Sequence, residues 1–178
     1  MKVYRTDEIR NVVLLGHGGS GKTSLVEAML YVSGATNRMG KIADHNTVSD
    51  FDKEEQKREF SISTSLVPIE WEKAKINVLD TPGYFDFVGE VEEAVSAADA
   101  AVIVVSGKAG VEVGTEKAWE LCDKYKFFIL LTAVKDFNLL FSISSMLFNA
   151  SCFSELALST SSCLLFNVSC RPVISVFN

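Results

Sequence analysis

The chain has 178 residues and a formal net charge of −6, so it is long enough for one sizeable core, and its negative charge argues against a broad DNA-binding face. Its four cysteines lack the C-x-x-C spacing of zinc sites and it has only two histidines, which argues against a zinc site or a disulfide framework. The first eight residues are charged and contain no apolar stretch of the secretory-signal kind, which predicts a cytoplasmic location, and we expect a monomer.

The first predicted elements are a strand, a glycine-rich loop and a helix. An apolar run at 11–15 predicts a buried strand, and apolar residues recur at helical spacing over 25–32, with Gly34 placed to end the helix. The loop between them has the phosphate-binding pattern G-x-x-x-x-G-K-[ST] and consists of Gly16, His17, Gly18, Gly19, Ser20, Gly21, Lys22 and Thr23. The glycines let backbone N–H groups converge on an anion, Lys22 can reach the β- and γ-phosphates, and the Thr23 hydroxyl suits Mg²⁺. These residues predict a nucleoside triphosphate site.

The remaining predicted elements alternate between strands and helices. A long polar stretch at 36–60 is interpreted as a functional loop, and strands at 63–71 and 75–80 are predicted to pair as a hairpin. A helix, a strand at 100–105, a second helix and a strand at 127–134 follow. The predicted apolar faces of the two helices consist of Phe87, Val91, Ala94, Val95 and Ala98 in the first, and Ala118, Leu121, Cys122 and Tyr125 in the second. The pattern predicts an α/β fold, a P-loop NTPase three-layer sandwich around a mostly parallel sheet.

A second nucleotide signature, Asp80-Thr81-Pro82-Gly83, stands at the end of the predicted strand 75–80. Ligands bind at this end of the strands in such sheets. There Asp80 can hold Mg²⁺ through a water, and the Gly83 N–H can reach a γ-phosphate with no side chain in the way. A carboxylate pair is more usual in ATPases of this kind, whereas the D-x-x-G form resembles that of GTPases.

With its following Phe85-Asp86-Phe87 and acidic helix, this segment resembles the translational GTPases, and most of all the elongation factor G family. The phosphate loop, the segment 57–62 and the strand region 97–105 fall where that family has its counterparts. The resemblance runs from about Glu8 to Lys126. It implies GTP and Mg²⁺ as cofactors, the ribosome as partner, and GTP hydrolysis in ribosome-linked translation elongation.

The resemblance also implies roles for single residues. Ser61 stands where the family usually has a switch threonine that binds Mg²⁺, so Thr23, Ser61 and Asp80 are the predicted metal ligands. Tyr84 stands where the family typically has a histidine that orients the attacking water. A phenol can donate and accept a hydrogen bond, and Lys22 and Tyr84 are therefore the predicted catalytic residues.

The composition changes near Lys126. All eleven glycines lie before Phe127, and the rest of the chain is rich in Ser, Leu and Phe. The guanine-reading N-K-x-D motif should follow the apolar stretch 127–132, where the sequence has Ala133-Val134-Lys135-Asp136, and only Asp136 matches the motif. We therefore expect a GTP-binding domain truncated at 1–136, incomplete at its C-terminal side, and an atypical hydrophobic tail at 137–178. The stretch from Phe127 onward is expected not to be family sequence, as in a truncated or frame-disrupted gene product.

Two other functions stay open at this point. The missing guanine motif favours a non-catalytic nucleotide-binding remnant that holds phosphates and Mg²⁺ without turnover. The uncharged stretch at 137–154 is near the lower length limit for a membrane span and allows a P-loop protein with a membrane-associated tail, but its serines and asparagines and the lack of a basic flank argue against a membrane.

Overall fold

Five strands form one sheet in the order β2-β3-β1-β4-β5 in this computed structural model, which describes residues 2–134. The strands are Ile9–Leu15 (β1), Ser65–Trp71 (β2), Ala74–Asp80 (β3), Ala100–Ser106 (β4) and Phe128–Val134 (β5). The helices are Lys22–Val32 (α1), Lys53–Arg58 (α2), Val88–Ala97 (α3) and Val113–Tyr125 (α4), and short 3-10 turns lie at Thr6–Glu8, Ile42–Asp44 and Phe85–Phe87.

The sheet is mostly parallel, as its sequence pattern predicts. Strand β1 pairs in parallel with β3 and β4, and β4 pairs in parallel with β5. Only β2 runs antiparallel, to β3, and the hairpin turns over Glu72 and Lys73 between the paired residues Trp71 and Ala74. The parallel strands place their carboxyl ends at one edge of the sheet, so the loops that follow β1 and β3 lie side by side there.

Helices cover both faces of the sheet, which gives the three layers. On one face, Val12 and Leu14 of β1 pack with apolar residues of α1 such as Leu25 and Met29. On the other face, Val13 and Leu15 pack with apolar residues of α3 and α4. Successive β1 residues are therefore buried on opposite faces, which explains why this strand is a continuous apolar run. The α/β three-layer fold is confirmed.

The polar stretch predicted as a loop contains a helix that apolar periodicity does not reveal. Helix α2 begins after Asp52, whose side chain accepts a hydrogen bond from the Glu54 N–H at 2.8 Å. Its buried residue is Glu55, a carboxylate instead of an apolar side chain. The Glu55 Oε1 accepts hydrogen bonds from the Ile62 and Ser63 N–H groups at 2.9 and 3.1 Å. The buried contact of this helix with the rest of the protein is therefore polar.

Two residues assigned to helical apolar faces lie elsewhere. Phe87 belongs to the 3-10 turn before α3, because α3 begins at Val88. Tyr125, the last residue of α4, has 41% of its surface exposed and stacks on Phe127, with 6.1 Å between ring centroids. Ala94, Val95, Ala118 and Cys122 are buried as predicted.

The predictions for the C-terminal part can be compared with the structure only as far as Val134, the last described residue. The strand predicted at 127–134 is present as β5. Asp136 and the predicted tail at 137–178 lie outside the described residues, so the domain boundary at 136 stays a prediction. No helix within residues 2–134 is long and apolar enough to cross a membrane.

Candidate functional site

The phosphate loop joins β1 to α1 at the carboxyl edge of the sheet. Gly16, Gly19 and Gly21 have φ values of 141°, 79° and 100°, which side chains rarely tolerate. A Cβ at Gly16 would also collide with the Val104 carbonyl oxygen of the neighbouring strand. The loop backbone therefore depends on glycine at these positions, and it delivers Lys22 and Thr23 as the first two residues of α1.

Lys22 reaches back across the loop. Its Nζ donates hydrogen bonds to the carbonyl oxygens of Gly16 and His17, each at 3.0 Å, and its side chain is buried. Burial lowers the pKa of Lys22 to about 8, while the nearby carboxylates of Asp80 and Asp50 act in the opposite direction. The ammonium group thus lies inside the concave face of the loop, where it can meet a bound phosphate.

Three chain segments bring hydroxyl and carboxyl groups together beside this lysine. Thr23 Oγ1 donates to Asp80 Oδ2 at 2.9 Å and lies 3.4 Å from Ser61 Oγ. Ser61 Oγ in turn donates to Asp50 Oδ1 at 2.7 Å. The predicted metal ligands Thr23, Ser61 and Asp80 are therefore adjacent, although they are distant in the sequence.

The Asp80 carboxyl is the most deeply buried acid of this cluster, with 1% of its surface exposed. Burial raises its pKa to about 6, against the opposing effects of Lys22 and of the Thr23 hydrogen bond. Asp80 Oδ1 has no hydrogen-bond partner within the described residues. The Ser49 hydroxyl lies near the carboxylate and lowers the Asp80 pKa. A buried carboxylate oxygen of this kind is available to a cation or its water.

These groups fit a magnesium ion. Mg²⁺ prefers oxygen ligands and is usually held by one or two carboxylates together with waters and substrate phosphates. The cluster offers the Thr23 and Ser61 hydroxyls, the free oxygen of Asp80 and, one step further out, the Asp50 carboxylate. Asp80 and Asp50 act electrostatically on Lys22, and Thr23 follows it in the chain, so a metal held here would lie near the phosphates that the lysine meets.

The D-x-x-G segment lies directly against the phosphate loop. A Cβ on Gly83 would come within 2.5 Å of the Gly18 nitrogen and within 2.6 Å of Lys22 Nζ. Only glycine allows this approach, so the Gly83 backbone can lie where the terminal phosphate is expected. The next residue, Tyr84, has its ring next to Gly18 of the same loop, with 44% of its surface exposed.

The structure thus brings twelve of the thirteen predicted site residues to one edge of the sheet: Gly16, His17, Gly18, Gly19, Ser20, Gly21, Lys22, Thr23, Ser61, Asp80, Gly83 and Tyr84. The His17 side chain faces away from Lys22, toward α4, with Nε2 at 3.6 Å from Glu112 Oε1 and its ring 6.5 Å from that of Phe85. The thirteenth residue, Asp136, lies outside the described part of the chain.

Sequence reasoning missed two buried carboxylates near the site. Asp50 accepts the Ser61 hydrogen bond, and burial raises its pKa although Ser61 and Lys22 act in the opposite direction. Glu27 of α1 accepts hydrogen bonds from the Gly40 N–H at 2.9 Å and the Val48 N–H at 2.5 Å. The available signal for Glu27 was a charged residue between Val26 and Ala28, within the apolar stretch 25–32 of this helix.

Glu27 also lines a cleft of about 340 Å³, together with Thr36, Arg38 and Asn46. This cleft is larger than the narrow space of about 50 Å³ at Gly16, Gly83 and Tyr84. Its volume does not identify it as the nucleotide site, because Lys22, Thr23 and Asp80 do not line it.

Comparisons with known proteins agree with this geometry. The model of the elongation factor Tu GTP binding domain matches residues 7–135. The match continues through β5, so the expectation that family sequence ends before Phe127 is wrong. Mitochondrial ribosome-releasing factor 2 is 42% identical over 118 residues in Anopheles gambiae and 40% identical over 121 residues in Drosophila virilis.

The curated relatives are much longer than the matched region. The two alignments cover 66% and 68% of this chain but only 16% and 17% of those proteins. A crystal structure of a Thermus thermophilus protein is 38% identical with a TM-score of 0.69, and the match covers 79% of this chain and 22% of that one. Elongation factor SelB from Methanococcus maripaludis, solved with the GTP analogue GppNHp, is 20% identical with a TM-score of 0.55 over 83% of this chain and 26% of its own, and supports the fold alone.

Proposed function

Because the chain belongs to the translational GTPase family of the elongation factor Tu GTP-binding domain, we propose that it binds GTP with Mg²⁺ and hydrolyses the GTP in a ribosome-linked step of translation. The observation that carries this proposal is the convergence of Lys22, Thr23, Ser61 and Asp80 at one edge of the sheet. The relatives' name, ribosome-releasing factor 2, supports the ribosome as partner.

Each residue of the site has a distinct task in this proposal. The loop N–H groups and Lys22 bind the β- and γ-phosphates, because the amides and the ammonium all lie at the start of α1. Thr23, Ser61 and Asp80 hold Mg²⁺, which when bound neutralises charge that develops on the phosphate oxygens. The Gly83 N–H donates to the γ-phosphate, and the Tyr84 phenol orients the attacking water.

A calorimetric titration with GTP and Mg²⁺ tests the proposal. Lys22→Ala removes the charge that faces the phosphates and should weaken binding more than tenfold, or about 1.4 kcal/mol. Lys73→Ala is the matched control, since it removes the same charge from the exposed hairpin turn at the opposite end of β3. Equal affinities of wild type and Lys22→Ala would contradict a phosphate site in this loop.

The second candidate, a nucleotide-binding protein without turnover, is favoured by one observation. Ala133 and Val134 end β5 where the asparagine and lysine of the guanine motif are expected. Hydrolysis of radiolabelled GTP with and without added ribosomes separates the two functions. Stimulated release of phosphate supports the GTPase, whereas tight Mg²⁺-dependent binding without release supports the second candidate.

Location and assembly are part of the proposal. We propose action in the cytoplasm as a monomer, since a net charge of −6 favours a protein that stays dissolved and unassociated. The insect relatives named above are mitochondrial proteins. Cell fractionation and sedimentation analysis measure these two properties directly.

A further inference from the structure

The structural reason for glycine at position 18 differs from the reason at Gly16, Gly19 and Gly21. Gly18 does not have a positive φ, so its φ angle does not by itself require glycine. A Cβ there would nevertheless stand 2.9 Å from Cζ, 3.0 Å from Cε2 and 3.2 Å from Cε1 of Tyr84. These ring atoms are its three nearest neighbours. The Tyr84 ring therefore explains the glycine at 18.

The Tyr84 ring is also in contact with a second ring. The Phe60 and Tyr84 centroids lie 4.8 Å apart with an interplanar angle of 59°, a favourable tilted arrangement for aromatic pairs. Phe87 extends this aromatic cluster (Phe60, Tyr84 and Phe87), with its centroid 6.5 Å from that of Phe60. Tyr84 thus contacts both the phosphate loop and the segment that precedes Ser61.

The direction of the Tyr84 ring follows from the same distances. Cζ, which carries the hydroxyl, is the ring atom nearest to the position of a Gly18 Cβ. The phenol end of the side chain therefore lies over the phosphate loop. Tyr84 follows Gly83, which approaches Lys22 Nζ, and Phe60 precedes Ser61, which approaches Thr23. The aromatic contact is consequently next to the groups that bind phosphate and metal in the proposed function.

We propose that Gly18 and Phe60 are positioning residues that place the Tyr84 phenol over the phosphate loop, because a side chain at 18 would shift the tyrosine ring. The catalytic part of this proposal rests on the proposed function, because the phenol acts there on the attacking water. The steric part concerns the protein alone. A side chain at 18 displaces the ring, and loss of the Phe60 ring removes a second contact that holds it.

Fluorine NMR of the full chain with fluorotyrosine tests the steric part without any nucleotide. The chain has four tyrosines, and Tyr84→Phe identifies the signal of Tyr84. Gly18→Ala and Phe60→Leu should each move that signal and leave the signals of the other three tyrosines in place. Gly89→Ala is the matched control, since a Cβ at Gly89 meets no atom within 4 Å and its φ is not positive. An unmoved Tyr84 signal in Gly18→Ala would overturn the proposal.

A double-mutant cycle on GTP hydrolysis at saturating GTP tests the catalytic part. Gly18→Ala should lower kcat by roughly tenfold to a hundredfold when Tyr84 is present, because a displacement of about 1 Å is enough to impair a positioned group. In the Tyr84→Ala background, where the space beside Gly18 is free, the same change should have little effect on kcat. Equal effects in both backgrounds would overturn the positioning role.

The two experiments separate this proposal from the proposed function. If the wild type bound no GTP, the proposed function would fail, and the fluorine signal would still decide whether Gly18 and Phe60 position Tyr84. If GTP were hydrolysed but the Tyr84 signal did not move in either variant, the proposed function would stand and the proposal that Gly18 and Phe60 position Tyr84 would be wrong.

Discussion

Glu27 should hold the polar segment before Ser61 against helix α1. Its carboxylate has 1% of its surface exposed and accepts the backbone N–H groups of Gly40 and Val48 from two ends of one loop. Glu27→Gln keeps the size of the side chain but replaces one oxygen with an NH₂ group. One of the two backbone N–H groups then faces a donor and has no acceptor.

The expected loss of stability can be worked from these two bonds. A hydrogen bond to a charged group contributes roughly 1.5–3 kcal/mol, and a buried donor left without an acceptor costs roughly 1–3 kcal/mol. Burying a neutral amide instead of a carboxylate offsets part of this cost. We therefore expect Glu27→Gln to lower the free energy of unfolding by about 2 kcal/mol.

Urea denaturation and amide hydrogen exchange measure this loss. The free energy of unfolding should fall as stated, and protection of the Gly40 and Val48 amides should fall about thirtyfold, since 1.4 kcal/mol corresponds to a factor of ten. Glu92→Gln is the control, because Glu92 is exposed on α3 and should change stability by less than about 0.5 kcal/mol. If Glu27→Gln matched this control in both measurements, the carboxylate would not be what anchors the segment.

Two further predictions concern the base and the core thiol. Base selectivity should be poor, because Ala133 and Val134 stand where the asparagine and lysine of the guanine motif are expected, and a site that lacks such partners cannot reject other bases. A thousandfold preference for GTP over ATP in competition binding would show that another segment supplies those contacts. Burial raises the pKa of Cys122 from 9.0 to about 12, so mass spectrometry should find this thiol unmodified by iodoacetamide at pH 8 in the folded protein but alkylated in urea. The thiol is more easily ionised in the unfolded chain, so its contribution to stability is present below pH 9 and is lost as the pH rises toward 12. The raised pKa would be wrong if the free energy of unfolding of the wild type rose over this interval relative to that of Cys122→Ala.

The phosphate loop and the D-x-x-G segment could be identified from the sequence because each is encoded by neighbouring residues. Gly16, Gly19 and Gly21 supply backbone angles that few other residues adopt, and Lys22 and Thr23 follow at a fixed spacing. The alternation of continuous apolar strands with amphipathic helices likewise predicts a parallel sheet covered on both faces. Both signals arise from local stereochemistry and burial, which act on residues close together in the chain.

The contacts between segments were decided by the tertiary structure. Helix α2 and Glu27 were not predicted, because a carboxylate that binds backbone N–H groups leaves no apolar period in the sequence. The Asp50–Ser61 hydrogen bond and the contact of Tyr84 with Gly18 join segments whose separation along the chain carries no information about distance in space. The sequence alone thus determined which groups could bind phosphate and metal. Which residues position those groups was determined only by the packing of the segments at one edge of the sheet.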